Sequence, residues 1–215
     1  MAEKRGRPPK IAEATDAKQK LIDTTVALIK KHSADSITVR NVCEESGLSI
    51  GTFYHYFQNK DDLLMYFVRE ASFDSFVLET PLEDVAGRMC ELYMHLIDRY
   101  LDLGEEFMKS FYTTGNKALS AYMCEQDGRF GEGTVMARCE RELLAVQELG
   151  FLKKEADVHM MSMDICTIVK GCVFEWALND GEMDIEQTLR RIVGYYLTDR
   201  LIPNDNAKKR VRDES

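Results

Sequence analysis

The residues best equipped for chemistry lie in one run, Thr38-Val-Arg-Asn-Val-Cys-Glu-Glu-Ser-Gly-Leu-Ser-Ile-Gly-Thr-Phe-Tyr-His-Tyr-Phe57. Their chemistry is recognition rather than bond-making. Thr38 and Ser49 are suited to capping two short helices, because a hydroxyl oxygen can accept from the otherwise unpaired amides of a first turn. Gly47 can take the left-handed conformation that ends the first of them. Val39, Val42, Leu48, Phe53 and Phe57 supply apolar anchors, which leaves Ile50, Gly51, Thr52, Tyr54 and His55 for an outer face. Helix, glycine turn, helix is the arrangement in which a second helix enters the DNA major groove. A helical hairpin whose glycine merely ends a helix shares the pattern. Gly51 favours the first reading: it costs about 1 kcal/mol relative to Ala inside a helix, which makes sense where backbone must approach a phosphate or base edge.

Five matching features carry a family resemblance. They are a preceding amphipathic helix with Leu21, Ile22, Thr25, Leu28 and Ile29 on one face, Ile37-Thr38-Val39, Ser46-Gly47-Leu48-Ser49, Gly51-Thr52-Phe53-Tyr54, and Phe57-Gln58-Asn59-Lys60 followed by Asp61-Asp62-Leu63-Leu64. In these residues the segment resembles the DNA-binding domain of the TetR family of bacterial repressors, over roughly residues 15–67. The resemblance implies that Ile50, Gly51, Thr52 and His55 face base edges, with Ser49 beside them. It implies that Tyr54 and Lys60 contact phosphates, with Thr38 and Arg40 as phosphate neighbours. Lys60 opens the next helix, where backbone amides also favour an anion.

Ahead of this segment, Lys4-Arg5-Gly6-Arg7-Pro8-Pro9-Lys10 resembles the Gly-Arg-Pro core of an AT-hook. An extended arm bearing Arg5 and Arg7 fits a narrow A·T-rich minor groove; a charged tail that aids binding without specificity is the alternative. The Lys208-Lys209-Arg210-Val211-Arg212 run reads as a solvated tail.

The elements that must position these residues are helices throughout. Beyond Lys60 the apolar spacing predicts a helix to about Glu79, then one opened by a Thr80-Pro81-Leu82-Glu83 capping box with Leu82, Val85, Ala86, Met89, Tyr93, Leu96, Ile97 and Tyr100 as its stripe. Further helices follow over Asn116–Glu125, Thr134–Leu149, and Asp157 to Leu178, the last closed by Asn179-Asp180-Gly181. A final helix opens at Asp184 with Gln187. The fold is all-α: a three-helix DNA-binding head plus a helical bundle, as the resemblance also implies. The expected division is 1–14 as a basic flexible arm, 15–60 as the head, 61–202 as the ligand-binding and dimerisation body, and 203–215 as a flexible tail.

In the body, Ile165, Ile168, Val169, Val173 and Phe174 on one of the last two helices, with Ile192, Val193, Tyr196 and Leu197 on the other, form wide apolar faces, suited to a four-helix interface with a two-fold mate, where Gly171 would permit close approach, or to burial within one monomer. Tyr93, Met108, Phe111, Tyr112, Asn116, Tyr122 and Trp176 combine aromatic bulk with a few polar tips, suited either to a cavity for a small, largely apolar effector or to ordinary core.

Composition bounds the rest. The chain has 215 residues, 45% hydrophobic, with six cysteines and a net charge of −9. That charge is uneven: residues 1–60 carry +3 and the remainder −12, so the average says nothing about a nucleic-acid partner. No apolar stretch follows the first residues and no window reaches the ~18 apolar residues of a membrane span, so a cytoplasmic protein with reduced thiols and no membrane partner is expected. The four histidines lack metal-ligand spacing, and no nucleophile elbow, phosphate loop or dinucleotide fingerprint is present; no catalytic residue, metal or cofactor is expected. The reading is a homodimeric, effector-responsive regulator bound to a double-stranded operator, most simply a repressor. The alternative is a ligand-independent architectural DNA binder with a solid body.

Overall fold

The computed structural model describes residues 10–31, 37–69, 73–101, 104–112 and 115–203. Arg5, Arg7 and the tail beyond Pro203 lie outside them. The described residues form ten α-helices and no strand. The first four are α1 (Lys10–Lys31), α2 (Val39–Ser46), α3 (Ile50–Tyr56) and α4 (Lys60–Arg69). Helix α1 starts at Lys10, several residues inside the segment read as an arm. It buries Leu21, Ile22, Leu28 and Ile29 against the short helices, and Thr25 satisfies its hydroxyl on the Leu21 carbonyl at 2.7 Å.

Helix α4 joins head to body. Leu63, Leu64, Met65 and Val68 are wholly withdrawn from solvent, each such side chain stabilising by about 1.5–3 kcal/mol relative to exposure. The helix ends at Arg69 rather than continuing to Glu79. Residues 73–84 instead form an irregular strap, for a reason that periodicity does not carry. The Arg138 guanidinium donates to the carbonyls of Phe73 (3.0 Å), Asp74 (3.2 Å) and Phe76 (3.3 Å), groups that a continuing helix would use internally. The next helix, α5 (Val85–Leu101), starts later than the sequence suggests. Its cap is Asp84, which accepts from Gly87 N at 2.9 Å. Thr80, expected to cap, donates its amide to Glu91 and lends its carbonyl to Arg88.

The strap hangs on one buried carboxylate. Glu142 accepts from Arg88 at 2.8 Å and Arg138 at 2.7 Å, all three side chains largely withdrawn from water. Both arginines pass this anchorage on to strap carbonyls.

The remaining helices are α6 (Glu105–Phe111), α7 (Lys117–Met123), α8 (Val135–Glu148), α9 (Val158–Leu178) and α10 (Ile185–Leu197). Side chains of Asn116, Thr134, Asp157 and Asp184 cap the last four, at the starts the sequence signals. Helices α5, α8, α9 and α10 pack as the body's bundle, while α7 leans on α4. The chain between α7 and α8 is pinned by His159, whose Nδ1 meets Glu140 at 2.9 Å and Nε2 meets Glu125 at 2.8 Å, its ring stacked on Phe130. Those two carboxylates hold the imidazole pKa above its ordinary value.

Cutting the buried anchor should release the strap. Glu142→Ala leaves two buried guanidiniums unpaired and is expected to cost about 3–5 kcal/mol, read as a lowered urea midpoint. An unchanged midpoint would mean that the strap is held by its apolar contacts alone.

Candidate functional site

The two short helices are set by their caps. Asn41 N donates to Thr38 Oγ1 at 3.1 Å and Thr52 N to Ser49 Oγ at 3.0 Å. Between them Gly47 sits at φ 65°, ψ 21°. Its amide donates to Glu44 O and the Leu48 amide to Cys43 O, the paired bonds that close a helix on a left-handed residue. Phe53 and Phe57 are buried, their rings 5.7 Å apart, and fix α3 against the head's core.

What that packing leaves outside is the face named from the sequence. Ile50 and Tyr54 keep 52% and 57% of their surface exposed, unusual for large apolar side chains with core available nearby. Gly51 and His55 are exposed beside them, with Thr52 half-buried. A Cβ at Gly51 would meet nothing closer than Ser49 Oγ at 3.6 Å, an ordinary contact. The fold itself therefore does not require glycine there, so the helix-weakening residue finds no reason inside the chain. Arg40 is solvent-facing and pairs with Glu44 at 2.8 Å.

Lys60 opens α4 as expected, but the amides around it are not a free anion cradle. Asp62 N donates to Asn59 Oδ1 at 2.9 Å and Gln58 N to Asp62 Oδ2 at 3.1 Å. Asp61 and Asp62 also put negative charge in that first turn. An approaching phosphate would meet the lysine ammonium rather than a cluster of open N–H groups.

In the body, the residues proposed for a pocket separate. Tyr112 and Asn116 line an open groove of about 640 Å³ between α7 and α9, with Leu119, Met123, Lys170 and Phe174. Tyr93, Met108 and Phe111 are instead buried core. The Tyr93 hydroxyl lies at the thiols of Cys139 and Cys166, and burial raises its pKa. Trp176 packs near Gly181, and Tyr122 is on the other side of α7, toward Arg69. Burial drives the Tyr122 hydroxyl's pKa up to about 12. Phe174, expected at the mate-facing surface rather than in a pocket, forms a groove wall. Its exposure on an otherwise apolar helix is a tertiary outcome.

The expected mate-facing residues need a similar correction. Ile165, Val169, Val173 and Val193 are buried within the chain itself, because α9 packs against both α8 and α10. Ile168 and Ile192 are half-buried. Tyr196 is committed inward, donating to Asp164 at 2.7 Å with Arg200 over its ring. Gly171 and Phe174, also expected there, do stay exposed, in a stripe with Met160, Thr167 and Leu178 on α9 and Tyr195 on α10, with Leu178 and Tyr195 63% and 74% exposed. Among the described residues, no His, Cys, Asp and Glu side chains group as metal ligands, and no helix is long and apolar enough to cross a membrane.

Residues 21–66 match the sequence profile of the bacterial regulatory proteins of the tetR family. Over 207 residues, 92% of each chain, the protein is 22% identical to a probable acrEF/envCD operon repressor of Escherichia coli K12. Among solved structures it resembles RolR in complex with resorcinol, at TM-score 0.59 and 19% identity over 93% of this chain and 95% of that one. It also resembles the SmeT–triclosan complex, at TM-score 0.59 and 18% identity over 88% and 93%. SmeT is the repressor of the Stenotrophomonas maltophilia multidrug efflux pump SmeDEF. At these identities the structural likeness establishes the fold.

Gly51 separates folding from recognition. Gly51→Ala should stabilise the free protein by up to about 1 kcal/mol through helix propensity yet weaken its binding to duplex DNA. Paired thermal melts and gel shifts check this, and a variant that binds DNA as well as the parent would remove any close backbone approach at that position.

Proposed function

As a member of the TetR family of bacterial regulatory proteins, this chain is a DNA-binding transcriptional regulator, and we propose that it is a homodimeric repressor released from its operator by a small-molecule effector. The observation that carries the DNA assignment is the outer face of α3, where Ile50 and Tyr54 stay in solvent while Phe53 and Phe57 one turn apart are buried. Thr52 and His55 would read base edges, and Tyr54, Lys60, Thr38 and Arg40 would hold phosphates that set register. Two heads related by a two-fold axis would engage successive major grooves about 34 Å apart.

The open stripe on α9 and α10 supports a dimer. Leu178 and Tyr195 are too exposed to be explained by the monomer's own packing, whereas Thr167, Gly171 and Phe174 of the same stripe line the groove. The groove supports effector response over the solid-bodied alternative. A row of aromatic rings runs between groove and head: Tyr112–Phe111 at 5.6 Å, Phe111–Phe107 at 5.1 Å, Phe107–Phe67 at 6.3 Å, Phe67–Tyr66 at 6.1 Å and Tyr66–Phe57 at 6.4 Å. An effector that binds more tightly to one arrangement of this row shifts the population of head orientations, and only one orientation suits the operator.

The reading is tested by gel shift with the DNA upstream of the protein's own gene. Preference for it over random duplex is expected, and equal binding would overturn the assignment. Lys60→Ala should weaken binding to every sequence and lower the salt slope by about 1, whereas His55→Ala should change site preference. Leu178→Glu places a charge in the proposed seam; light scattering should then report a monomer mass, and operator affinity should fall with it. A variant that stays dimeric would place the seam elsewhere.

A further inference from the structure

The groove between α7 and α9 has a charge character as well as a shape. Its walls include Leu119, Met123 and Phe174, and among the described residues no aspartate or glutamate lines it. Among its described lining residues the one charged side chain is Lys170. That ammonium makes a long 3.5 Å contact to the Met123 carbonyl that ends α7 and lies within hydrogen-bonding reach of the Cys166 thiol, and no ion pair to Lys170 is found among the described residues. The adjoining groups do not neutralise it. The Cys166 thiol beside it is kept protonated, since burial raises its pKa despite the lysine. Glu125, two residues beyond Met123, is engaged by His159. Asn116 has both side-chain polar atoms in use, on Leu119 N at 2.9 Å and Phe111 O at 3.1 Å.

A half-buried cation in an apolar groove is completed best by a charge-assisted hydrogen bond to an oxyanion. Resting on the effector-responsive reading above, we propose that this groove takes a compact apolar organic anion, its rings against Leu119, Met123 and Phe174 and its oxyanion on Lys170. The acidic remainder of the body makes the position informative: an anion attracted there is selected by one lysine at short range, not by the field of the whole domain.

The test uses three isosteric probes against the full chain by titration calorimetry: 2-naphthoate, its neutral amide, and 2-naphthylmethylammonium. Naphthoate is expected to bind about tenfold more tightly than the amide, with the ammonium weakest. Lys170→Met should erase the naphthoate advantage while leaving the amide within about twofold, and Lys170→Arg should retain it. Equal binding of naphthoate and amide overturns the inference. So does an advantage that survives Lys170→Met, and so does absence of saturable naphthoate binding to a chain that still shifts its operator. Dissociation of the dimer by naphthoate would mean that a second copy fills the groove, which also overturns it. Naphthoate binding with the expected preference, but without operator release, would defeat the effector reading and leave this inference standing.

Discussion

The arrangement of the whole molecule depends on the burial of one ten-residue helix. Helix α4 has Leu63, Leu64, Met65 and Val68 with no solvent exposure, so it belongs to the cores of head and body at once. Each part constrains it from its own side: Tyr66 meets Phe57 and the Lys18 ammonium in the head, while Phe67 meets Phe107 in the body. A close-packed interior cannot absorb a shift of one side without moving the other. A helix shared in this way ties the packing of the body to the placement of the head.

The connection following α4 is fixed electrostatically. Glu142 lies inside the body and is tolerable there because Arg88 and Arg138 both reach it, each with further donors placed on strap carbonyls. The network holds an irregular segment where regular secondary structure would have satisfied the backbone itself. Charge is segregated on the larger scale too, with a +3 front on an otherwise acidic chain. Such a gradient favours the head over the body as the surface that meets a polyanion.

Much of the head was legible from the sequence because its determinants are local. A cap hydroxyl and the amide it serves lie three residues apart, and a left-handed glycine closes its own helix, so Thr38, Ser49 and Gly47 announce their roles within a few positions. The same holds for Asn116, Thr134, Asp157 and Asp184. The strap was not legible, since Arg138 acts on it from some 62–65 positions away. Thr80 read as a cap because its sequence neighbours fit a capping box; the Glu91 carboxylate, reaching back from α5, took its amide instead.

The body's surfaces mark the boundary between the two kinds of information. Helix α9 is apolar around most of its circumference, and a helix of that kind gives periodicity no direction to point. Sequence alone therefore identified α9 and α10 as richly apolar but selected Ile165, Val169 and Val173, which the monomer buries. Only packing against α8 and α10 decided that Met160, Leu178 and Tyr195 would remain outside, and that Lys170 would line an apolar groove. The sequence by itself determined the all-α class, the caps and the outward face of α3, because each depends on residues within a turn or two of one another. Which apolar surfaces stay open was left to tertiary structure, because exposure is a property of the neighbours a face acquires and not of the face.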